Sequence, residues 1–249
     1  MREIFIEYCH FLQISNTKFC EQEEFFIFPD ISPIEELKKN CSLDVDLQSF
    51  LVRPFRIALP YVSSHTIPST TRNIELVFDA EVEISKSTNT KYICDPLGKL
   101  TFNIVLRGDG DETMASWHLD KHSQVSSLKD GESKLLHPEY HFSFGGKYME
   151  EKYNYHNWDF GQTLIMRSPR LMHPPMDIIL GIDFILNQFI PRKYSGFFLD
   201  NPQYTEIIYK MKEFLWKPYA YAFAKNFFTN WSDNKNLYYD LSFCKSIIG

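Results

Sequence analysis

Leu100-Thr-Phe-Asn-Ile-Val-Leu106 runs into Gly108-Asp109-Gly110-Asp111, and Met114-Ala-Ser-Trp-His-Leu-Asp-Lys-His122 follows at once. An alternating β-branched and aromatic run, an Asp-Gly turn and a second alternating run describe a β-hairpin. Upstream, Ile74, Val77, Val82 and Ile84 mark another strand, closed by the polar turn 85–89. Downstream, Tyr140 to Phe144 and Thr163 to Met166 read as further strands. Successive strands joined by short polar turns give an antiparallel meander.

After Pro174-Pro175 the period changes. Met176 to Ile190 is apolar around nearly its whole circumference, with Ile179, Ile182, Leu186 and Phe189 as its strongest stripe. That is the pattern of a buried helix, with Asp177 in its first turn and Pro191 at its end. Asn201-Pro202 opens the next helix, whose apolar face is Tyr204, Ile207, Ile208, Met211 and Leu215. Pro218 is expected to kink or break it, with 220–228 continuing as a second piece. The fold class expected is α+β: an antiparallel β-meander with C-terminal helices packed on one face. A single domain over 1–249 is expected, sheet-rich to about 170, helical over about 175–228, with an irregular tail from Asn230.

The N-terminal part is less patterned. Ile4, Ile6 and Tyr8 alternate with Glu3, Phe5 and Glu7, which predicts a short strand within 1–15. Ser32-Pro33-Ile34-Glu35-Glu36 predicts a helix start, with Ser32 as cap and an end near Asn40. Phe50 to Leu59 holds two apolar runs broken by Pro54 and bounded by Pro60, a pattern that assigns neither helix nor strand.

Composition narrows the class of protein. The chain has 249 residues, a formal net charge of −6 and 16% aromatics, mainly Phe and Tyr. No basic stripe runs along it, which argues against nonspecific duplex coating and gives no strong duplex nucleic-acid signature, while leaving nucleic acid open as a substrate. Cys9, Cys20, Cys41, Cys94 and Cys244 are odd in number, widely spaced and form no C-x-x-C. They suit neither a disulfide framework nor a treble-clef zinc site. With no apolar run of membrane-spanning length and no leader-like N-terminus, the sequence predicts a soluble cytoplasmic protein without membrane association.

The chemistry-bearing residues gather between Trp117 and Asp177. His118, His122, His137, His141, His156 and His173 lie there, six of the chain's eight histidines. Residues two apart on a strand share a face, so His118, Asp120 and His122 are expected on one side. A neighbouring strand bearing His141 would complete a set of N and O donors suited to a divalent metal such as zinc. These four side chains are the candidate metal ligands or acid–base groups. Arg167 and Arg170 are the candidates for holding substrate charge, with pairing to Asp177 or Asp183 as the structural alternative. A merely wet strand face explains the same alternation without any site.

Other signals are weaker. Gly145-Gly146 suits a tight turn. Cys94 has no fixed relation to a histidine, and G-x-S-x-G is absent. Tyr148, Tyr153, Tyr155 and Trp158 are expected to staple a loop to the core. The order of a meander followed by two long helices, over about 73–228, resembles the ubiquitin-conjugating-enzyme and RWD type of domain. No cysteine lies between Cys94 and Cys244, so a conjugating nucleophile after the meander is missing.

Two functional classes follow. One is an interaction or adaptor module with a protein partner in a larger assembly. It asks nothing further of the histidines, and sequence alone favours it. The other is a metal-assisted hydrolase, of the phosphoesterase or nuclease kind, built on His118, Asp120, His122 and His141.

Overall fold

The computed structural model of the chain describes residues 1–60, 70–85, 95–109, 113–121, 140–145, 148–152 and 171–225. Its strands are β1 (Ser49–Ala58), β2 (Ile74–Ile84), β3 (Leu97–Gly108), β4 (Thr113–Lys121), β5 (Tyr140–Phe144) and β6 (Leu171–Met172). They lie side by side in chain order, each pair antiparallel; the alternating runs predict β2 to β5 of this meander, while β1 and β6 extend it at its two edges. The run Thr163 to Met166, expected as a strand, lies outside the described residues. So does the tail from Asn230.

Register divides the sheet into two unlike faces. Phe50, Val52, Phe55 and Ile57 of β1 pair with Val82, Ala80, Phe78 and Leu76 of β2. The same face continues through Leu100, Phe102 and Ile104 to Leu119 and Phe142, and most of these side chains are fully buried. The opposite face carries Asp79, Asn103, His118 and Ser143 in one transverse row. Glu81, Thr101, Asp120 and His141 form the next row. A strand's two-residue period thus sorts an apolar core from a polar, partly covered surface.

The unassigned stretch from Phe50 is β1. Its pairing with β2 is interrupted between Val52 and Phe55, around the exposed Pro54. A proline has no N–H to give a ladder, and it is tolerated here at a bulge on the sheet's outer strand.

Helices pack on the apolar face. The expected N-terminal strand is instead helix α1 (Arg2–Glu23). Its buried residues Phe5, Tyr8, Cys9, Leu12, Ser15, Asn16 and Phe19 repeat at helical spacing. Within the first eight residues the alternation of Ile4, Ile6 and Tyr8 competes with this stripe, which there shows only Phe5 and Tyr8, and only the longer run decides for helix. Together with α2 (Ser32–Leu43), this helix fills the start of what composition suggested was a sheet-rich region. Ser32 is not the cap of α2: Ile31 holds that position, and the Asp30 carboxylate accepts the Ser32 N–H at 2.9 Å.

The buried C-terminal helix is α3 (Ile178–Gln188), and Asp177 is its N-cap, accepting the Leu180 N–H at 2.9 Å. Gly181 lets it lie directly on the sheet, because a Cβ there would stand 2.2 Å from Phe102 Cε2. A short helix, α4 (Arg192–Leu199), precedes α5 (Pro202–Lys225), which continues through Pro218 rather than breaking there. No helix among the described residues is long and apolar enough to cross a membrane.

Candidate metal centre

The polar face is where the predicted histidine cluster falls. β4 presents His118 and Asp120 on one side of its pleat, and β5 presents His141 and Ser143 on the same side. Asp120 stands opposite His141, and His118 opposite Ser143. Directly opposed side chains on adjacent strands have Cβ atoms about 4.5–5.5 Å apart, so four polar groups are forced together.

The side chains use that proximity. His118 Nε2 lies 3.6 Å from Asp120 Oδ2. The His118 and His141 rings meet edge to face with centroids 5.9 Å apart. One ligand atom from each of His118, Asp120 and His141 can be chosen so that all lie within 4.8 Å of one another. Donors bound at about 2.0–2.2 Å from one ion lie no more than about 4.4 Å apart, so small side-chain rotations would close this set on a metal. His141 is 1% exposed, while His118 and Asp120 are half-buried, so the cluster runs from a partly open surface to a buried end.

Ser143 adds a hydroxyl 2.8 Å from His118 Nε2 and 3.3 Å from Nδ1. A Ser-His-carboxylate triad needs the hydroxyl and the carboxylate on opposite ring nitrogens. Here Ser143 and Asp120 both approach Nε2, so the geometry argues against a serine nucleophile.

Beside the cluster, Asn103 Nδ2 donates to Asp79 Oδ2 at 2.8 Å, and Tyr148 OH donates to Asp79 Oδ1 at 3.2 Å. Burial pushes the Asp79 carboxyl above the usual carboxylate range, against these two hydrogen bonds. Tyr148 thus ties its helical turn at 148–152 to the polar face of the sheet rather than to the core, while Tyr153, Tyr155 and Trp158 lie outside the described residues. Sequence reading missed Asp79, Asn103 and Ser143. Their signal was alternation in step with His118, but only register brings them to it.

Other expected site residues fare differently. His122, Arg167 and Arg170 lie outside the described residues, as do His137, His156 and Cys94. His173 is on the helix side: its ring packs on Phe142 and its Nδ1 is 2.7 Å from Pro174 O. Asp183, offered as a structural partner for Arg167 or Arg170, accepts from Tyr204 OH at 2.9 Å and Asn187 Nδ2 at 3.1 Å, with Lys212 Nζ at 3.9 Å.

Comparison with family models, curated proteins and solved structures finds no match to this chain. The similarity in element order to ubiquitin-conjugating and RWD domains therefore carries no argument about function.

Proposed function

We propose that the protein is a metal-dependent hydrolase whose divalent ion is held by His118, Asp120 and His141. The observation that carries this is the convergence of two imidazoles and a carboxylate from adjacent strands, within 4.8 Å of one another. Three protein ligands with a further position for solvent are the usual donor set of catalytic zinc, and they also suit iron(II). A bound ion of this kind supplies an ionised water at neutral pH. His118 and His141 would set its place, and Asp120 would offset its charge. Substrates of the phosphoester class fit the proposal through Arg167 and Arg170, which precede β6 in the chain.

The test is hydrolysis of an activated aryl phosphodiester and an aryl phosphomonoester by protein reconstituted with zinc, manganese or iron(II). Turnover that requires metal and falls to background in His118→Ala supports the reading. Metal-bound protein inert toward both would remove the phosphoester assignment.

A second reading, the interaction module, draws on a different place. Leu43, Val45 and Leu51 are 74%, 75% and 53% exposed near a cavity of about 250 Å³ at the junction of α2 and β1. Exposed apolar side chains grouped in this way favour docking of a protein partner. Folded protein that binds no metal would leave this reading in possession. A cytoplasmic setting is supported by the free, buried thiols of Cys9 and Cys41, which burial pushes up to about 12 and about 11.

A further inference from the structure

Directly behind the metal cluster, on the helix side of the sheet, lies a buried charged group the proposed chemistry does not use. Asp95, just before β3, is 6% exposed. Its Oδ2 lies 2.7 Å from Lys121 Nζ, and the Lys121 side chain is 11% exposed. Tyr140 OH donates to Asp95 at 2.9 Å and 2.7 Å, one contact to each oxygen. Asp95 Oδ1 also accepts the Leu97 N–H at 2.9 Å, and Lys121 Nζ donates to the Leu97 carbonyl. The ends of three adjacent strands are thus tied at one carboxylate.

Lys121 and Tyr140 are a register pair, and the next pair along is Asp120 and His141. The tie and the metal ligands are therefore consecutive residues pointing to opposite faces. β5 has only five residues and β6 only two, so few ladder bonds hold this part of the sheet in place. A slip of one residue turns every side chain to the other face, which would take His141 away from Asp120. A slip of either one or two residues also pulls Tyr140 OH off Asp95. A buried ion pair stabilises a fold no better than apolar side chains of the same volume, and its best-attested use is to fix register.

We infer that Asp95, Lys121 and Tyr140 are positioning residues, a buried latch on one face of the sheet that holds Asp120 and His141 in ligating register on the other. The inference rests on the metal reading of that cluster. It makes the site's affinity depend on a hydroxyl that never touches the ion. Removing a group that hydrogen-bonds a ligand directly weakens metal binding about 10–100-fold, and a latch that acts through the strand backbone is expected at the low end of that range.

The experiment compares Tyr140→Phe with Ile57→Val, a mild core truncation in β1 at the far side of the same face. Zinc affinity is measured by competition with a chromophoric chelator. Tyr140→Phe should weaken binding at least about tenfold, while Ile57→Val stays within about twofold of wild type. Wild-type affinity in Tyr140→Phe, or an equal loss in Ile57→Val, overturns the latch. If Tyr140→Phe does not fold, Lys121→Met is read by the same two criteria. If wild type itself binds no zinc, the metal reading has failed, and amide exchange across 117–121 and 140–144 decides the latch alone. Faster exchange there in Tyr140→Phe than in Ile57→Val supports it, and equal exchange overturns it.

Discussion

Asp120 and His141 stand opposite one another as a register pair of β4 and β5, on the sheet face away from α1, α3 and α5. Neither residue is near the other in sequence, and nothing but strand pairing brings them together. With His118 two residues before Asp120 on the same face, that pairing turns an alternating pattern into a set of convergent donors.

Asp183 is the first point of test. It accepts a hydrogen bond from the nearly buried Tyr204 hydroxyl, and burial holds its carboxyl above the ordinary range. Asp183→Ala removes that carboxylate acceptor, leaving the Tyr8 hydroxyl as the neighbour Tyr204 can still bond, and should cost about 1–3 kcal/mol in urea denaturation. This is less than the about 3–5 kcal/mol of a broken buried ion pair, because Lys212 stands 3.9 Å away and is partly solvated. A change below about 0.5 kcal/mol would contradict the burial of α3.

Asp177 should give the stability a pH dependence of its own. It is fully buried, Oδ1 caps α3, and Oδ2 has no hydrogen-bond partner among the described residues. Burial raises its carboxyl to about 7, against the opposing backbone N–H groups of Leu180 and Ile179. A raised folded-state value means the folded state holds the proton more tightly. The stabilisation is complete below the unfolded value of 3.8 and is lost as pH rises through about 7. Wild type should therefore lose stability relative to Asp177→Asn between these limits, by up to about 4 kcal/mol. Parallel stability–pH curves for the two proteins would count against it.

Gly181 sets the distance between α3 and the sheet. Gly181→Ala places a methyl group 2.2 Å from the Phe102 ring, and Phe78 leaves little room for that ring to yield. Helix propensity favours alanine by about 1 kcal/mol, yet overpacking should win and destabilise the protein by about 1–3 kcal/mol. Equal or greater stability of the variant would show that α3 can lift from the sheet.

What the sequence made legible was whatever a local period could express. The strands around Asp109-Gly110 and the apolar girdle of 176–190 each show their pattern within a dozen residues, and both match the structure. At the N-terminus, Ile4, Ile6 and Tyr8 alternate as a strand would, but the longer stripe from Phe5 and Tyr8 to Phe19 is the one the fold buries, as a helix. β1 was unreadable because Pro54 interrupts its alternation, and a bulge absorbs that interruption. In the site, His118 and Asp120 share a face by spacing alone. His141, Ser143 and Asn103 join them only through pairing across strands, which no single segment encodes. The Lys121–Asp95–Tyr140 tie was invisible for the same reason: its members are separated by up to 45 residues.

The most direct test of the account is the metal content of protein purified without chelators, followed by zinc titration of His118→Ala/His141→Ala and of His173→Ala. The account predicts about one divalent ion per chain in wild type, as three converging ligands require. It predicts loss of that ion in the double variant with the far-ultraviolet circular dichroism unchanged, and retention in His173→Ala, whose ring lies on the helix side of the sheet. Wild-type protein that neither carries nor takes up metal, or a double variant that keeps it, would contradict the central claim.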